Sequence, residues 1–140
     1  MMIRKKFFSI LTTGIVSAVL LSFSACHKDK EPTPGDLAAQ AAKAYYDELI
    51  AGHDDAFIKN TYFPYQIPDS YRAQLVTNIK MFMGQQKEEH QGVKKVDIIS
   101  AKADTIRKTA DVFLRLHYGD GTKEEIAVPM VLVKKRWMMK

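Results

Sequence analysis

The chain has 140 residues, a single cysteine and a formal net charge of +5. That length suits one modest domain with a leader, and a lone cysteine excludes an internal disulfide. Residues 1–25 contain Arg4, Lys5 and Lys6 and no acid, so without them the net charge is +2, which excludes the strongly basic domain that nucleic-acid binding would call for.

Arg4, Lys5 and Lys6 precede an uncharged run from Phe7 to Cys26 that ends in Ser24-Ala25-Cys26. A basic start, an apolar stretch and small residues at its end are the three parts of a secretory signal. About 20 apolar residues also span a bilayer, so an uncleaved anchor is the rival reading. Ser9, Thr12, Thr13, Gly14, Ser17, Ser22 and Ser24 dilute the run and argue against it. The segment resembles bacterial lipoprotein signal peptides, although Phe23 stands where such signals usually carry Leu. The resemblance implies removal of residues 1–25 and a lipid on Cys26, which becomes the membrane contact. His27 follows the cysteine in place of Asp. By the sorting pattern of enteric bacteria, that favours the outer membrane. Cys26-His27-Lys28-Asp29-Lys30-Glu31 also resembles the charged start of Bacteroidetes lipoproteins.

Residues 26–35 read as a tether, because Pro32 and Pro34 favour an extended path and supply no core. Residues 36–140 are then the folded domain. Asp36 is expected to cap a first helix rich in alanine, with Ala38, Ala42, Tyr45 and Leu49 on one face, ending near Gly52. His53–Asn60 reads as a short second helix. Pro64 and Pro68 exclude a regular helix between Thr61 and Pro68. A third helix is expected from Asp69 or Ser70, carrying Tyr71, Leu75, Ile79, Phe82 and Met83 on one side, weakened at Gly84 and ended by Gly92.

After Gly92 the period changes to two. Val96 and Ile98 alternate with Asp97 and Ile99, and Ala110, Val112, Leu114, Leu116 and Tyr118 form the clearest apolar face. Gly119-Asp120-Gly121 marks a hairpin turn. Ile126, Val128, Met130 and Leu132 continue the alternation, Pro129 points to an edge or bulge, and Trp137–Met139 reads as a short last strand. Helices followed by strands give an α+β domain with its helices on one face of an antiparallel sheet.

Ala42-Lys43-Ala44-Tyr45-Tyr46, Leu49, Gly52, the segment Ala110–Tyr118, the turn Gly119-Asp120-Gly121 and the late Trp137 together resemble small bacterial lipoprotein domains of the nuclear transport factor 2-like, or cystatin-like, family. Arg136 replaces the glycine usual before that tryptophan. The resemblance implies a curved, cone-shaped sheet with a cavity between sheet and helices. The same fold hosts enzymes, binders and oligomerising modules, so it does not choose among them.

No catalytic set can be assembled from the sequence. Asp111 and His117 share a strand face but lie roughly 20 Å apart, and they point away from the expected core. No histidine pair has helical metal-ligand spacing, and no phosphate loop or dinucleotide fingerprint occurs. No metal and no cofactor are therefore expected. Tyr45, Phe82, Tyr118 and Trp137 are the candidate pocket walls, offering stacking surface and hydroxyls. The expectation is a non-catalytic cell-envelope lipoprotein that binds a small apolar or aromatic ligand, or a protein partner, a second copy included. The alternative is a cone-fold isomerase or hydrolase.

Overall fold

The computed structural model describes residues 30–140; the expected leader, Cys26 and the first part of the tether lie outside the described residues. Helix α1, Pro34–Ile50, opens on Thr33 rather than on Asp36. The Thr33 hydroxyl accepts from the Asp36 N–H at 3.1 Å, and the Asp36 carboxylate accepts from the Thr33 N–H at 2.9 Å. Asp36 is therefore the returning half of a capping box. Pro34 begins the helix, where its missing N–H costs nothing, so the folded part starts two residues earlier than the sequence suggests. Ala38, Ala39, Ala42 and Leu49 are buried. The small alanines let the helix lie close on the sheet, and a Cβ added at Gly35 would stand 3.4 Å from the Ala101 carbonyl oxygen.

Helix α2, Asp54–Lys59, and helix α3, Asp69–His90, follow. The helix α3 runs unbroken through Gly84 and ends at Gln91, which is left-handed with φ 62°. None of its residues is fully buried. Its sheltered stripe is Leu75, Val76, Ile79, Met83 and Gln86, whereas Tyr71 and Phe82 lie on its exposed flank.

Four antiparallel strands, β1 Val93–Asp104, β2 Thr109–Tyr118, β3 Lys123–Val133 and β4 Arg136–Met139, stand side by side in chain order. A bulge between Ile98 and Ser100 shifts the β1 register and re-aims the strand, as such insertions do. The expected β2 face is the core. Ala110, Val112, Leu114, Leu116 and Tyr118 are buried together with Val96, Val128, Met130, Trp137 and Met139. Each buried Val, Leu or Met among them contributes about 1.5–3 kcal/mol of apolar burial. Pro129 sits within β3, and its carbonyl accepts from the Lys140 N–H at 2.9 Å. Its ring nitrogen thus faces the β4 side just beyond the pairing of Met130 with Met139, where no ladder bond is lost.

The far edge of β4 is covered. Thr61 bridges Met139, the Tyr62 N–H donates to the Met139 carbonyl at 2.7 Å, and the Met139 N–H donates to the Asn60 carbonyl at 2.9 Å. The segment after α2 therefore acts as a rudimentary parallel edge.

Candidate functional site

A cleft of about 460 Å³ opens between helices α1, α2 and α3 and the inner face of β2 and β3. Tyr46, Leu49 and Phe57 form its helical wall, Ile79, Phe82 and Gln86 come from α3, and Leu116, Glu124 and Ile126 form its floor. Tyr46 and Phe57 meet edge to face with ring centres 5.2 Å apart, a favourable quadrupole arrangement. Burial pushes the Tyr46 phenol above its ordinary pKa. The cleft is thus mainly aromatic and aliphatic, with the Tyr46 hydroxyl, the Gln86 amide and the Glu124 carboxylate as its polar groups.

Glu124 is reached by continuing the inward alternation of Ile126 and Val128 two residues back, and it pairs with Leu116 across the sheet. The Tyr118 hydroxyl donates to its carboxylate at 2.5 Å. Desolvation first, and then this carboxylate, push the Tyr118 phenol up to about 12. Tyr118 itself is buried, with the His90 ring tilted against it at 4.8 Å between centres. The Nδ1 of His90 lies 2.9 Å from the Asp120 carboxylate. Hydrogen bonds from Thr122, and then from His90, hold Asp120 at about 2.

The four expected pocket walls are not gathered in one cavity. Phe82 flanks the cleft, and Tyr118 stands behind it, reaching it through Glu124. Tyr45 and Trp137 meet elsewhere, in an apolar groove of about 480 Å³ between the start of α1 and the β3–β4 hairpin. There the Tyr45 hydroxyl donates to the Trp137 carbonyl at 2.6 Å. Leu37 and Leu132 complete the apolar wall, and Lys135 and Arg136 form the rim.

Among solved structures, the chain is similar to a Campylobacter jejuni protein provisionally named an NTF2-like transpeptidase. The similarity has a TM-score of 0.59 at 12% identity and covers 71% of this chain and 94% of that one. The fold is NTF2-like. No protein-family model and no curated protein matches the sequence. An identity of 12% carries the NTF2-like architecture, the helices on a four-stranded open sheet, and nothing about reaction or substrate.

Outside the NTF2-like cleft, on the opposite face of the sheet, His117 does find an aspartate. Its Nε2 lies 2.8 Å from the Asp97 carboxylate, across the β1–β2 pairing, where the sequence offered only the distant Asp111. Desolvation acts to raise the Asp97 pKa, but hydrogen bonds from Lys95 and His117 outweigh it and hold it below its ordinary value. Arg115 pairs with Glu125 at 2.6 Å on the same face. A histidine–carboxylate pair therefore exists, and neither of its residues lines the cleft or the groove described above. Among the described residues, no group of three or more metal-type side chains clusters.

Proposed function

We propose that this protein is a non-catalytic cell-envelope lipoprotein, anchored through Cys26 and directed to the outer membrane, whose NTF2-like domain holds a small apolar or aromatic molecule in the α3–sheet cleft. The cleft carries the reading. Its volume, about 460 Å³, lies within the range of about 300–1,000 Å³ common for small-molecule sites. Its walls offer aromatic faces, and Gln86 and Glu124 offer one amide and one carboxylate to orient a polar edge of the ligand. Among the residues that line the cleft there is no lysine or arginine that would favour a phosphate instead.

The uncharged aromatic fluorophore N-phenyl-1-naphthylamine is a suitable probe. Phe82 is 43% exposed, so Phe82→Glu should leave the fold intact. Placing a charge on the cleft wall is expected to weaken probe binding about tenfold or more, while Leu37→Glu in the separate groove leaves binding unchanged. Equal binding by both variants, or no binding by the unaltered protein, would sink the proposal.

A second reading rests on Glu124, a carboxylate that opens into the cleft with a phenol 2.5 Å away. Such a pair is placed where a proton could be exchanged with a bound substrate. A turnover abolished by Glu124→Gln, with probe binding retained, would favour an enzyme.

A further inference from the structure

Strand direction brings two turns to one end of the sheet. The β1–β2 turn spans Thr105–Lys108, and the β3–β4 turn is Lys134-Lys135. They are joined directly, because the Leu132 N–H donates to the Lys108 carbonyl at 2.8 Å. This end carries Arg107, Lys108, Lys134, Lys135 and Arg136, and its tip is Ile106, 92% exposed. Arg107 lies 3.8 Å from Asp104, and Arg136 bonds the Asn60 side chain. Among the described residues, no carboxylate lies in ion-pair range of Lys108, Lys134 or Lys135.

The backbone marks the same place. Lys134 and Lys135 have φ of 48° and 65°, and Lys108 has φ of 55°. A two-residue hairpin loop with both φ positive is a type I′ turn, which favours Asn-Gly. A lysine pair there sacrifices stability, and sites that retain such strain are often functional.

We infer that this basic end docks on an anionic phospholipid surface, with Ile106 entering the headgroup region and the lysines meeting lipid phosphates. The inference rests on the lipid anchor proposed above. Pro34 lines the same groove as Lys135 and Arg136 and stands eight positions after Cys26, a reach of at most about 29 Å even when fully extended. An anchor on that cysteine leaves this end within reach of the bilayer. An exposed aliphatic tip ringed by cations is complementary to an anionic interface and sets which end of a lipid-anchored domain faces the bilayer.

The test places the full-length processed protein in vesicles of phosphatidylcholine, alone or mixed with phosphatidylglycerol, and follows amide hydrogen exchange. Both turns are expected to be protected only where phosphatidylglycerol is present, and to lose that protection at high salt. The double variant Lys134→Asn, Lys135→Gly should melt no lower than the unaltered protein, since it installs the favoured turn pair. Its docking should nevertheless weaken about fivefold per lysine removed. Protection that is equal on both vesicles, or kept by the double variant, would overturn the inference. So would protection that grows with protein concentration in the absence of vesicles, which would mean that a second copy covers this end. Intact mass reads the lipid on Cys26 separately, so failure of the anchor and failure of the docking are told apart.

Discussion

The Tyr118 phenol and the Glu124 carboxylate, 2.5 Å apart, set the proton chemistry of the cleft wall. The phenol, at about 12 when folded, is released to about 10 on unfolding. Its contribution to stability is therefore full below about pH 10 and is lost as pH rises through about 12. Glu124→Gln removes the carboxylate's share of this shift and leaves desolvation and the nearby Asp120 charge. We expect the Tyr118 titration, followed by phenolate absorbance, to move down towards its ordinary value while still lying above it, because desolvation remains. An unmoved titration would mean that the pair is not formed in solution. The sequence revealed these residues unevenly. Leu114 and its neighbours announced themselves by strict alternation, and all of them are buried. Glu124 obeyed the same parity, but a glutamate at a strand start reads as solvent-facing unless the alternation is extended to it. The meeting of His117 with Asp97 depends on the register between two strands, including a bulge, which no local pattern encodes.

Helix α3 shows where element-level reading stops. Gly84 is a helix-weakening residue, yet Asp69–His90 continues through it. Favourable formers on both sides and the sheltered stripe of Leu75, Ile79 and Met83 outweigh a cost of about 1 kcal/mol. A Cβ added at Gly84 would meet nothing within 4 Å, and its φ is not positive. Gly84→Ala should therefore stabilise the protein by about 0.5–1 kcal/mol, read as a higher denaturant midpoint with an unchanged slope. A lower midpoint would show that the outer side of α3 is covered in the native state. The helix start of α1 was misplaced for a different reason. Thr33 and Asp36 are both capping types three residues apart, and the prolines around Thr33 read as tether. Pro34 is in fact a helix-starting proline, a role that becomes visible only when the reciprocal bonds of the capping box are seen. The strands needed no such help, since a two-residue period admits few alternatives.

At the scale of the molecule, residues 31–140 form one compact unit by their internal contacts. We expect residues 31–140 alone to be soluble, to give a mixed helix and strand circular-dichroism spectrum, and to melt cooperatively. A disordered or all-helical spectrum would contradict the architecture. The division into helices first and sheet second was legible because the apolar period changes once, at Gly92. The division of the aromatic residues between a cleft and a groove was not, because Tyr45 and Tyr46 are sequence neighbours that face different elements across the α1 surface.

The short strand β4 has a consequence for the order in which the molecule assembles. Asn60, Thr61 and Tyr62 take their edge partners from Met139. The Asn60 side chain bonds Arg136, 76 residues away, and Tyr45 bonds the Trp137 carbonyl, 92 residues away. A nascent chain that has left the ribosome only as far as Val133 has strands β1 to β3 for α1 to pack on, but still lacks the partners of Tyr45, Asn60, Thr61 and Tyr62. Deleting residues 136–140, and with them the buried Trp137 and Met139, should accordingly lower the melting temperature sharply, whereas an unchanged melt would show that β4 adds nothing to the closed fold. The last four-residue strand thus acts as a latch, and the domain gains its longest-range contacts only when synthesis is nearly over.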